Sequence, residues 1–225
     1  MKIFWMVMPW LPYHVSLGKL NKHCRFSNET EMFRSHPAAG KFAKKELPTA
    51  KLELTLENFD FDCFPRGMFT LVSEKMRSAM ALGPADVQYF EVDSSRSARL
   101  PQSKHYQIMH IPVTEDVSDP KNSDYTYHHF SDGSVTGGSP HAVAFRPDAE
   151  PTHEIFYDRF FKVIYCTDEF ALRVLRADCS GIRFFDPARF GGFASAFRTV
   201  RGVEQEVKWD PFRKILRTKL IQEIP

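Results

Sequence analysis

One pattern, used twice, constrains this chain more than any other feature. It consists of an apolar strand ending at Ser or Thr, an acidic neighbour, a short amphipathic stretch, and a second strand ending in aromatics. The first copy reads Phe69-Thr70-Leu71-Val72-Ser73-Glu74-Lys75-Met76-Arg77-Ser78-Ala79-Met80 and continues through Gly83-Pro84 to Val87-Gln88-Tyr89-Phe90. The second reads Lys162-Val163-Ile164-Tyr165-Cys166-Thr167-Asp168-Glu169-Phe170-Ala171-Leu172-Arg173-Val174-Leu175 and continues through Ser180-Gly181 to Ile182-Arg183-Phe184-Phe185. Ser73 and Thr167 lie 94 residues apart and Val87 and Ile182 lie 95 apart, so one inserted residue aligns the copies. A Ser or Thr ahead of a helix accepts hydrogen bonds from the free amides of its first turn. Glu74, Asp168 and Glu169 place negative charge where the helix dipole favours it. Met76 and Phe170 stand where a reciprocal capping box would need Glu or Gln. Helical spacing carries the rest: Met76, Ala79 and Met80 share one face, as do Phe170, Val174 and Ala177 with Ala171 and Leu175 beside them. Gly83-Pro84 and Gly181 are the expected stops.

The 225 residues, 43% hydrophobic and 14% aromatic, suffice for one well-buried domain or two small ones. A formal charge of +2 supplies no global field for nucleic acid. The apolar start, Ile3 to Met8, is too short to span a membrane, ends at Pro9, and reads as a first strand. Cys24, Cys63, Cys166 and Cys179 stand far apart without a Cys-x-x-Cys spacing, which suits reduced thiols and a cytoplasmic setting.

Residues 1–50 form an expected N-terminal strand and irregular region, with room for one short helix. Residues 51–190 form a duplicated α+β unit, and 191–225 an extension with an amphipathic helix packed on the same body. Within the middle unit, Lys51 to Glu57 alternates as a half-buried strand, Asn58 to Asp62 keeps that period with an acidic outer face, and His105 to Pro112 reads as another strand. Glu115 to Gly138 is polar and turn-rich, an expected surface excursion. In the extension, Asp210-Pro211 resembles a cap and first helical position ahead of apolar residues at 212, 215, 216 and 220. Short alternating strands outnumber helical stretches, so the expected fold is α+β, with mixed or mainly antiparallel sheets, short helices and two related strand-helix-strand units.

No local motif announces catalysis. His128-His129 lacks ligand spacing, and neighbours on a strand point to opposite faces. Cys166 closes an apolar strand, as a buried inert thiol would. Gly137-Gly138 and Gly191-Gly192 complete neither phosphate-binding glycine motif. Solvated acidic surface accounts for Glu115-Asp116 and for Asp60 and Asp62 better than acid/base chemistry does. The sequence therefore points to no enzyme, no catalytic residue, no metal and no cofactor.

The doubled pattern of Leu71-Val72-Ser73-Glu74-Lys75 and Tyr165-Cys166-Thr167-Asp168-Glu169, with Ser180-Gly181-Ile182-Arg183-Phe184-Phe185-Asp186 closing the second copy, resembles bacterial immunity proteins built on the myxobacterial-type immunity domain. Tyr106 to Asp119 is similar to that family's middle, where a strand leads into a short acidic, serine-containing loop. The resemblance covers about Phe59 to Pro187. It implies an antitoxin that binds and neutralises a cognate toxin domain of a polymorphic toxin system. Such effectors are secreted in interbacterial competition, are often nucleases, and are countered in the producing or sibling cell. It carries over no catalytic residues. The partner is then a protein, with no small-molecule substrate, no membrane and little role for nucleic acid.

Nuclease clefts are basic because they hold phosphate, so an acidic loop could plug one. Glu115, Asp116 and Asp119, with Asp60 and Asp62, are candidates for the toxin-facing surface. Phe190 and Phe193 offer a rival aromatic anchor. Two other function classes stay open: a small hydrolase whose His, Asp and Cys converge only in three dimensions, which a deep pocket with converging His and carboxylates would favour, and a nucleic-acid-binding module using Arg213, Lys214 and Arg217.

Overall fold

The computed structural model describes residues 4–9, 20, 22–34, 47–55, 59–66, 69–97, 104–125, 128–129, 135–136, 140–185, 187, 197–200, 203–210 and 215–223. The strands in chain order are β1 (Phe4–Pro9), β2 (Cys24–Phe26), β3 (Ala50–Leu54), β4 (Cys63–Arg66), β5 (Phe69–Ser73), β6 (Gln88–Asp93), β7 (Tyr106–His110), β8 (Thr114–Glu115), β9 (Asp124–Tyr125), β10 (His128–His129), β11 (Val135–Thr136), β12 (Pro140–Ala142), β13 (Ile155–Asp158), β14 (Ile164–Thr167), β15 (Ile182–Phe185), β16 (Phe197–Val200), β17 (Val203–Asp210) and β18 (Ile215–Glu223). Among the described residues, short α-helices accompany them, here α1 (Glu29–Arg34), α2 (Glu74–Met80) and α3 (Asp168–Arg176). The fold is α+β.

Two sheets carry the repeats. The first has the order β2-β3-β6-β7-β5-β4 and the second β15-β1-β14-β13-β8. Pairing is antiparallel except for β3 with β6 and β8 with β13.

The two repeats match in strand order and in sheet register. In the first, β7 lies between β5 and β6 and is antiparallel to both; in the second, β1 takes that place between β14 and β15. A row across the first sheet reads Phe64, Leu71, Ile108, Phe90. The corresponding row across the second reads Phe156, Tyr165, Met6, Phe185. Leu71 to Tyr165 spans the same 94 residues, and Phe90 to Phe185 the same 95, that align the motifs in the sequence. The hairpin partner belongs to the repeat as well, since β4 pairs with β5 as β13 pairs with β14. The middle strand is the exception: the first repeat draws it from the chain that follows, and the second from the N-terminus.

Local chemistry builds each helix as the sequence requires. Ser73 and Thr167 are N-caps with nearly identical extended backbones, φ −75°, ψ 165° and φ −77°, ψ 165°, and their hydroxyls accept from the Met76 and Phe170 amides. Helix α2 buries Met76 and Met80, while α3 buries Phe170, Ala171, Leu172, Val174 and Leu175. Each large apolar side chain removed from water contributes roughly 1.5–3 kcal/mol before entropy is counted. Those residues join one core with Val72, Val87, Met109, Tyr165, Cys166 and Phe184. Alternation on the first sheet sends Phe64, Leu71, Phe90 and Ile108 to the opposite face. There they meet Leu52, Leu54, Phe26 and Met32 in a second core.

Several expectations are corrected. Where the sequence suggests a helix in the C-terminal extension, the described residues form a strand: Ile215–Glu223 is β18, paired along β17 in a three-stranded antiparallel sheet with β16. The pairing puts Glu206 opposite Lys219, and a long ladder outweighs the weak preference of a short amphipathic segment. Glycines do not end the helices. The left-handed positions just past α2 and α3 are Ala81 (φ 50°) and Asp178 (φ 48°). Residues 59–62 do not extend β3: Phe59, Phe61 and Asp62 are buried and Asp60 is exposed, so the expected alternation does not hold there. The stretch after Glu115 is partly interior, with Val117 and Ser118 buried and Ser118 bridged to Phe145.

Candidate functional site: the cleft between the repeats

The two helices pack side by side, and where the end of α3 meets the start of α2 the surface opens into a cleft of about 560 Å³. Ser73, Glu74, Lys75 and Ser78 of the first repeat form one wall. Asp178, Cys179 and Ser180 from the turn after α3 form the second, and Asp60, Asp62, Lys104 and His105 complete the lining.

Asp62 is the centre of this seam, its side chain only 8% exposed. One carboxylate oxygen accepts from the Ser73 hydroxyl at 2.8 Å, so the residue that caps α2 also holds Asp62. The other accepts from the Ser180 amide at 2.9 Å and lies 3.1 Å from the Ser180 hydroxyl. Lys75 and Lys104 approach to 3.6 and 3.7 Å. Burial by itself would raise the Asp62 pKa, but the Ser180 amide, the two ammonium groups and the Ser73 hydroxyl together hold it below the ordinary carboxylate value.

Backbone contacts fasten the same seam. The Asp62 and Cys63 amides both donate to the Ser180 carbonyl, at 3.1 and 3.0 Å. Gly181 follows at φ +84°, and a Cβ there would stand 1.8 Å from the Cys63 carbonyl oxygen, so only glycine lets the second repeat approach this closely. The Tyr106 hydroxyl donates to the Phe61 carbonyl at 2.6 Å and fixes the segment from beneath.

α2 and α3 each carry a cation that reaches a backbone carbonyl at or just past the C-terminal end of the other. Lys75 Nζ donates to the Asp178 carbonyl at 2.6 Å, and Arg173 donates to the Met80 carbonyl at 2.9 Å. Arg173 additionally forks onto Glu154 at 2.9 and 2.6 Å. Glu154 is the counterpart of Asp62: its carbonyl accepts from the Thr167 amide at 2.9 Å, as the Asp62 carbonyl accepts from the Ser73 amide at 2.8 Å.

Of the residues singled out in the sequence, Asp60 and Asp62 meet at the cleft. Asp60 is 60% exposed and paired with Lys104 at 2.7 Å. Glu115, Asp116 and Asp119 do not line it and are each engaged locally. Glu115 binds His153 at 2.8 Å and the Thr152 hydroxyl at 3.0 Å. Burial opposes its ionisation, yet these bonds hold its pKa below the ordinary value. Asp116 pairs with Arg146 at 3.0 Å. Asp119 caps the 3-10 turn Pro120–Asn122 and accepts from Lys121 N at 3.1 Å and Asn122 Nδ2 at 2.6 Å. Phe190 and Phe193 lie outside the described residues, as do Arg213 and Lys214.

Sequence reasoning does not single out Lys75, Lys104 or Ser180 as site residues. A usable signal exists for extending the repeat upstream: Asp62-Cys63-Phe64 and Glu154-Ile155-Phe156 share an acid-apolar-Phe pattern just ahead of each copy. Lys104 carries no such signal, because only the fold brings it to Asp60.

The chemistry of the cleft is that of a fastened seam. Ser73 Oγ donates to a carboxylate and accepts from an amide, and His105 makes no hydrogen bond among the described residues, so neither forms a nucleophile–base pair. Cys179 in the wall has its thiol pKa pushed up to about 12 by burial and by the Asp62 charge. Cys166 is fully buried, and burial raises its pKa well above the ordinary value. Among the described residues no group of three potential ligands stands close enough to hold a metal ion.

A duplicated α+β scaffold with a polar seam cleft is the class of protein this geometry defines. The immunity protein family Imm11 matches residues 26–189, and the chain belongs to that family. The match takes in both strand–helix–strand units but not β1, the strand that completes the second sheet. No curated protein matches the chain.

Proposed function

We propose that the protein is a cytoplasmic antitoxin that acts by stoichiometric binding of one cognate toxin domain, shielding the producing or sibling cell from an effector of a polymorphic toxin system. The observation that carries this reading is the immunity-family match across both repeats. The construction of the seam supports it: ion pairs, cap bonds and a glycine contact hold two repeats rigidly. A preorganised surface loses little conformational freedom on binding. It acts without chemistry of its own, and a nuclease is among the toxins it would answer.

The test is co-expression with the toxin domain encoded by the adjacent reading frame. Growth should be rescued and the two proteins should co-purify, with protection titrating at a fixed molar ratio. Protection at strongly substoichiometric amounts would indicate turnover and defeat the binding mechanism, and failure to rescue would defeat the antitoxin assignment.

A further inference from the structure

We infer that the cleft between the repeats is where the toxin is read, and that it receives a toxin segment presenting a lysine or arginine side chain, with Glu74 as its principal carboxylate. This rests on the antitoxin reading and adds to it a place and a chemistry.

Shape is the first reason. A recess of about 560 Å³ falls in the range of sites that enclose a ligand, and it accommodates a protruding loop better than a flat face. Charge is the second. The lining carries four carboxylates, on Asp60, Asp62, Glu74 and Asp178, against the ammonium groups of Lys75 and Lys104. Those lysines are engaged internally: Lys104 pairs with Asp60 and Asp62, and Lys75 lies against Asp62 and donates to the Asp178 carbonyl. The Glu74 side chain is exposed, and its carboxylate makes no hydrogen bond or ion pair among the described residues. An incoming cation therefore meets a carboxylate with no competing internal partner, while an acidic loop meets net negative charge. Rigidity is the third. The walls come from both repeats, and the Gly181–Cys63 approach and the Asp62 bonds hold them at fixed separation before any partner arrives. Ser78 and His105, both exposed on the lining, add hydrogen-bonding groups to the recess.

The experiment uses the full chain and a catalytically inactivated toxin domain from the adjacent reading frame, with Kd measured by calorimetry and contacts by hydrogen exchange. Glu74→Lys and Ser78→Trp should each weaken binding by about tenfold or more, the first by repulsion and the second by filling the recess. Glu31→Lys, an equal charge reversal on α1, should stay within about twofold. In the wild-type complex, amides of residues 74–80 and 178–180 should gain protection. If the wild type binds but Glu74→Lys is within about twofold and those amides are unprotected, the cleft assignment is wrong and the antitoxin reading stands. If the wild type does not bind at all, the antitoxin reading fails and the cleft assignment fails with it. Should Ser78→Trp not fold, Glu74→Lys and the exchange pattern decide.

Discussion

In the first repeat the carboxylate ahead of the hairpin, Asp62, is buried and reaches across to the turn that follows α3. In the second the equivalent carboxylate, Glu154, stays 39% exposed and is clasped by Arg173 of its own helix. The backbones around the two are the same, down to the amide of the capping residue that each carbonyl accepts. The repeat thus provides two similar frames, and side-chain length and partner set their uses. A short acid beside two serines became the joint between repeats, whereas a longer acid beside an arginine became a half-solvated ion pair. The cleft opens at the joint, on the side of Asp62 and not of Glu154.

The joint should be where the molecule is easiest to break. Gly181→Ala puts a methyl group into the Cys63 carbonyl at a positive φ, and should cost about 3 kcal/mol or more in urea unfolding. A loss near 1 kcal/mol would mean that the two repeats can slide apart cheaply.

Next come the paired carboxylates. Asp62→Ala leaves the Ser73 hydroxyl and Ser180 amide without their acceptor and two lysines without their counter-charge, at about 2–4 kcal/mol. Glu154→Ala removes a solvent-screened pair and should cost about 1 kcal/mol or less. Equal losses would erase the distinction between joint and surface pair. Acid titration sharpens it further. The Asp62 pKa is lower folded than its ordinary 3.8, so its contribution is complete above that value and is lost as pH falls through the folded pKa. Asp62→Asn should therefore flatten the acid limb of a stability–pH curve below about pH 4.

The caps give a smaller contrast. Thr167→Ala should cost about 1 kcal/mol as an ordinary N-cap, whereas Ser73→Ala should cost about 2 kcal/mol because the same hydroxyl also donates to Asp62. Thermal melts of the two variants side by side measure the difference. The smallest effect is a gain: Ala81 sits at φ 50°, so Ala81→Gly should stabilise the protein by about 0.5–1 kcal/mol.

Much of the frame is legible in the order of residues. Ser73 and Thr167 cap helices, the apolar faces of α2 and α3 turn inward, and the offsets of 94 and 95 residues reappear as sheet register, because caps and periodicity act over a few residues. The site is legible only in part. Asp60 and Asp62 draw notice for their charge, but strand alternation places Asp62 outward when it is the most enclosed carboxylate of the cleft. Glu115 and Asp119 carry the same charge and are occupied by Thr152, His153 and Asn122.

From the sequence alone come the two caps, the two amphipathic helices and the repeated strand-helix-strand pattern, since each depends on neighbours within a turn or a pleat. The tertiary structure decided which strand fills the middle of each sheet, that Phe4 of the N-terminus pairs with Thr167, that Ile215–Glu223 extends as a strand, and that Ser180 and Gly181 close on Asp62 and Cys63. These contacts join segments far apart in the chain. Their stability comes from burial and hydrogen bonds that exist only once both segments have arrived, and no local pattern of residues encodes that meeting.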